Sequence, residues 1–131
     1  MALQQIHSRF KIFTGTLAAD HTLGPIADQI AAFVAENKVA AKSIGIEYLE
    51  GSKRIAISLG YRDDEAPYPI KVESVPLGKI GDLDSGDVTR LEDAMANAAV
   101  KISGILCHEL YITEEGDFLA VFMSRTDATA S

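Results

Sequence analysis

One order of elements occurs twice in this chain, and that repetition limits the folds open to it more than any single motif does. Loose alternation over 9–16 (RFKIFTGT) predicts a strand with Phe10 and Ile12 on one face. Gly24-Pro25 then opens a helix over 25–37, because a proline at the first helical position gives up no needed N–H. Its apolar residues Ile26, Ile30, Phe33 and Val34 recur at helical spacing. IGIEYLE, a turn at Glu50-Gly51-Ser52 and RIAISLGY follow as a β-hairpin. After a polar, proline-containing break (DDEAPYP) the cycle starts again. IKVESVPLG reads as a strand in which Pro76 points to an edge, a bulge or an early end. GDLDSGD is a turn. VTRLEDAMANAAVKI places Val88, Leu91, Met95, Ala98 and Ile102 on one helical face, capped by Asp87 or by a Thr89–Glu92 capping box. ILCHELYI and FLAVFMS close the chain as a second hairpin around TEEGD.

The spacing supports a duplication. Tyr48 and Tyr111 stand 63 residues apart, as do Arg62 and Arg125. The expected fold is α+β: duplicated βαββ units, over 8–62 and 69–125, forming a curved, mainly antiparallel sheet with two helices on one face and a central cleft. Residues 1–7 read as an N-terminal extension and 126–131 as a frayed, polar tail. At 131 residues, one domain is expected. The final two strands are apolar on both faces, which suits either the centre of a sheet or a subunit interface.

Charge narrows the function classes. The formal net charge is −7, and it is uneven: residues 1–65 hold 7 basic and 8 acidic groups, residues 66–131 hold 5 and 11. The acids gather at Asp82, Asp84, Asp87, Glu92 and Asp93, opposed nearby by Arg90. Such a surface repels phosphate backbones, so no nucleic-acid partner is expected. It suits a cationic ligand or a basic protein partner. No apolar run reaches membrane-spanning length and the opening MALQQIHSRF has no signal-peptide core, so a cytoplasmic protein without a membrane partner is expected. A single cysteine supplies neither a disulfide nor a Cys-rich metal site, and no metal ligand set or cofactor motif appears.

Catalytic signatures are sparse. Cys107 and His108 are adjacent on a strand and point to opposite faces, which excludes the usual nucleophile–base geometry between them. Glu109 is the residue selected on physical grounds. It lies in an apolar strand, where a carboxylate needs a partner. Alternation puts Cys107, Glu109 and Tyr111 on one face, so a carboxylate and a phenol can converge on one ligand. At an offset of 62 residues its counterpart is Glu47, expected to face water. Tyr48 and Tyr61 share a strand face with isoleucines, at the core or at the rim of a groove. Tyr68, between prolines, folds over a groove mouth or pins the linker.

Two stretches carry a family resemblance. HTLGPIADQIAAFVAENKVAAKSIGIEYLE is similar to the Gly-Pro helix opening and following strand of the GyrI-like, or bacterial effector-binding, domain superfamily. ILCHELYITEEGDFLAVFMSR resembles the closing hairpin of that superfamily, with its Glu-x-Tyr strand. The chain departs from the pattern in having no tryptophan and no Gly-Pro opening to its second unit. The resemblance implies a standalone effector-binding module taking a small cationic or neutral amphiphilic ligand in a cleft. Glu109 would lie at its floor, with Tyr111, Tyr48, Tyr61 and Tyr68 as further ligand-binding positions. The alternatives are a non-enzymatic interaction or regulatory subunit, able to form a homodimer, and a small hydrolase using Glu109 as general base.

Overall fold

A computed structural model describes residues 8–49, 51, 53–79 and 83–127. The N-terminal extension, Glu50, Ser52, Ile80, Gly81, Asp82 and most of the polar tail lie outside the described residues. Eight elements follow in chain order: β1 (Arg9–Thr16), α1 (Pro25–Asn37), β2 (Ala40–Leu49), β3 (Arg54–Arg62), β4 (Ile70–Lys79), α2 (Ser85–Val100), β5 (Ile105–Ile112) and β6 (Asp117–Arg125). They form two antiparallel three-stranded sheets of identical topology, β1-β3-β2 and β4-β6-β5.

Local chemistry sets the boundaries. Pro25 starts α1, and Lys38 ends it in a left-handed conformation whose N–H bonds back to Val34 O. The cap of α2 is Asp84, in place of Asp87 or Thr89; its carboxylate accepts the Asp87 N–H at 2.9 Å. Leu83 before it takes φ +57, and the helix is capped three residues earlier than Asp87. Pro76 sits on edge strand β4 beside a register shift between Pro76 and Gly78, where its missing donor costs no ladder bond inside the sheet.

Register defines the duplication more closely than residue spacing does. Ile57 opposes Ile46 and Ala120 opposes Leu110, and both second strands carry a bulge at the same place, Ala41/Ser43 and Ile105/Cys107. Gly45 opposes Ser58 as Glu109 opposes Val121. Gly45 is therefore the counterpart of Glu109, and the Glu47–Glu109 equivalence is replaced by Glu47–Tyr111.

Each helix covers the equivalent face of its own sheet. Ile55, Ile57 and Leu59 of β3 share a core with Ile26, Ile30 and Val34 of α1. Their counterparts Phe118, Ala120 and Phe122 of β6 meet Leu91, Ala94, Met95 and Ala98 of α2. The opposite face of β6 (Leu119, Val121 and Met123) joins the α1 core, and α1 lies against both β1 and β4. β2 and β5 run beside each other without forming a common ladder. The second sheet is thus turned over relative to the first, and the helices lie on opposite sides instead of sharing one face. Gly15 permits the close fit of α1 on β1, since a methyl group there would sit 2.7 Å from Ile26 Cγ1. Edge-on packing of Phe33 against Phe13 (5.7 Å) and Tyr61 (5.4 Å) extends the same core.

Candidate functional site

The β5 alternation places Glu109 and Tyr111 on the side of the shared core, with Cys107. Tyr111 is buried, and its phenol donates to the backbone carbonyl of His21. Burial pushes that phenol up to about 12, while the Ser74 hydroxyl beside it pulls the other way. Glu109 is half-buried, and its carboxylate makes no hydrogen bond or ion pair among the described residues. Burial likewise raises the Cys107 thiol, which leaves little thiolate for nucleophilic chemistry.

The other tyrosines do not converge on Glu109 through their hydroxyls. Tyr48 reaches toward Glu114, with Oη 3.4 Å from Oε1. Tyr61 packs against Phe33. Tyr68 donates to the Ala41 carbonyl, and the Arg125 guanidinium lies 4.2 Å from its ring centroid. These bonds tie the second unit and the linker to the first. A depression of about 250 Å³ lies beside Tyr68, between Val34, Lys38 and the flanking prolines, and neither Glu109 nor Tyr111 lines it.

One titratable cluster joins segments distant in the chain. His21, Glu115 and Asp117 hold donor atoms within 4.8 Å of one another. His21 Nε2 is 3.3 Å from Glu115 Oε2, and Nδ1 is 4.0 Å from Asp117 Oδ2. One imidazole and two carboxylates could ligate a divalent ion. Here Lys79 Nζ already stands 3.5 Å from Asp117 Oδ1, and the cluster brings the β1–α1 loop to the β5–β6 turn.

The largest departure from a closed core is on the outside. Beyond the strands that α2 covers, the sheet faces pointing away from the shared core remain bare over β1, β3, β2 and β5. Among the described residues nine large apolar side chains are exposed, and six of them lie on these faces: Phe10, Ile12, Leu49, Ile105, Leu110 and Ile112. Phe10 is 69% and Ile12 65% exposed, at one margin, and Leu110 (43%) and Ile112 (41%) project at the other. Between them the floor is small: Gly60, Ser58 and Ala56 of β3 with Ser43 and Gly45 of β2. A methyl group at Gly60 would lie 2.5 Å from Ser43 Oγ, and one at Gly45 2.9 Å from Ser58 Oγ, so the low floor is closely packed. A hollow of about 210 Å³ opens there, floored by Gly45, Ala56 and Ser58 and bordered by Ile12 and Glu47. The sequence signal for this surface is the large–small alternation of RIAISLGYR, whose small set faces outward opposite Phe10 and Ile12.

The molecule thus belongs, by architecture, to the α+β proteins built from two βαββ units, with one unit's outer sheet face open. No family model matches the chain, and no match is found among curated proteins or solved structures. No helix among the described residues is long and apolar enough to cross a membrane.

Proposed function

We propose that this protein is a non-enzymatic interaction subunit that works through the outward face of β1, β3, β2 and β5. One observation carries the reading: among the described residues, six of the nine exposed large apolar side chains lie on that face. Single exposed apolar residues are ordinary, but six on one side of adjoining strands, gathered at the margins of a low floor, point to an interaction site. The corresponding face of the second sheet supports the same reading, because there Leu119, Val121 and Met123 are buried under α1. The test is a substitution series on the face, in which Phe10→Asp weakens association while leaving the circular dichroism spectrum native. Association that persists at wild-type strength in Phe10→Asp contradicts the reading.

A second reading keeps Glu109 as the centre of a small-ligand site, and its half-buried, unpaired carboxylate favours a cation there. A ligand bound only by the native state raises the melting midpoint through ln(1 + [L]/Kd). Cationic amphiphiles are expected to raise the midpoint of the wild type and not of Glu109→Gln; equal shifts in both proteins contradict this site. A hydrolase has less support. Next to Glu109 on its face stand a thiol raised by burial and a phenol already bonded to the His21 carbonyl.

A further inference from the structure

We infer that the occupant of the outward face is the same face of a second copy, related by a two-fold axis. This inference rests on the reading of that face as the working surface. Three observations identify a second copy as the partner.

Area is the first. The hydrogen-bonded strands β1, β3 and β2, at about 4.8 Å spacing and with eight residues rising about 3.3 Å each, give roughly 14 by 26 Å, and β5 running beside them brings the face to about 500 Å² per copy. Two such faces bury about 1,000 Å², the lower bound for a specific interface and enough for a weak, reversible dimer.

Shape is the second. Ridge and hollow occur on one surface: Phe10, its ring beside Gly60, and Ile12 are exposed at the β1 margin, and the hollow over Gly45, Ala56 and Ser58 lies next to them. A two-fold axis places the ridge of each copy over the low floor of the other, the self-complementarity an isologous contact requires. Phe10 is the anchor, an exposed aromatic ring meeting a hollow bordered by Ile12 on one side and Glu47 on the other.

Charge is the third. Two copies each carrying −7 repel at most orientations, and the second unit holds most of that excess. The charged residues of the outward face on β2 and β3 are Glu47, Arg54 and Arg62, and Arg62 is bonded to Asp64. It is the nearly neutral surface through which like-charged copies can approach.

The experiment is sedimentation equilibrium of the full chain from roughly 1 μM to 1 mM, the span of weak dissociation constants. Wild type is expected to pass from monomer to dimer mass across the range. Phe10→Asp on β1 and Leu110→Lys on β5 are expected to weaken association roughly tenfold or more. Val100→Asp, on the exposed side of α2, is expected to associate as wild type does. Two separate strands are probed so that one poorly folding variant does not decide the result. A wild type that stays monomeric throughout overturns the second copy as partner. Nile red then separates the two claims: fluorescence lost in Phe10→Asp leaves the face available to a different protein, while equal fluorescence removes that reading as well. A wild-type dimer that ignores both face variants overturns the proposal, since association would run through another surface.

Discussion

Tyr111 shows how one side chain can link two units. Its ring fills the shared core and its hydroxyl meets the His21 carbonyl, so the second unit is fastened to the loop that precedes α1. Phenol ionisation is opposed in the folded state, where the pKa is about 12, and proceeds near 10 in the unfolded chain. Stability from this group is fully present below pH 10 and is lost as pH rises toward 12, because the unfolded state releases the proton first. The loss amounts to about 2–3 kcal/mol. Alkaline urea titrations are expected to show it in wild type and not in Tyr111→Phe, which should also be less stable at neutral pH by about 1 kcal/mol. An identical alkaline decline in both proteins contradicts the assignment. Alternation alone placed Tyr111 and Glu109 on one face. It could not place the partner of the phenol, which lies 90 residues earlier in the chain. The His21–Glu115–Asp117 cluster was hidden for the same reason, since side-chain period carries no information across that separation.

At the level of elements, periodicity identified all six strands and both helices, and Gly24-Pro25 marked the start of α1. The cap of α2 moved to Asp84 because Leu83 turns the chain before the apolar stripe begins. Asp84→Ala is expected to cost about 1 kcal/mol in urea denaturation; no change there shows that the Asp87 N–H is served by another acceptor. Gly15→Val drives a side chain into Ile26 of α1 and is expected to cost about 1–3 kcal/mol. An unchanged midpoint in that variant means the helix packs farther from β1 than described. Which side each helix takes was not legible. An apolar pattern shows that a face is buried, but not that the second sheet turns over so that α1 is shared. β5 and β6 illustrate the same limit: both look apolar on two faces, yet β6 is central and covered on both sides, and β5 leaves Leu110 and Ile112 in solvent.

For the whole molecule, duplication produces an asymmetry. Because the units share α1, β6 of the second sheet has a cover on each face, while one face of the first sheet and the adjoining side of β5 are left over. A single copy cannot bury that face, and the excess negative charge of the second unit restricts how another copy approaches. Added salt screens the repulsion between copies and leaves apolar burial in place. Dimerisation is therefore expected to strengthen as sodium chloride is raised, measured by sedimentation at fixed protein concentration. Weakening with salt would mean that opposite charges, and not the apolar face, hold the copies together.

The central claim is that the outward face is covered when the protein associates. Hydroxyl-radical footprinting at increasing protein concentration measures this most directly, with Phe10 and Ile12 read against Val100, which is 86% exposed on α2. Oxidation of Phe10 and Ile12 is expected to fall as concentration rises while Val100 keeps its reactivity. If Phe10 and Ile12 remain as reactive as in the monomer under conditions where dimer mass is present, the face is not the interface and the account is contradicted.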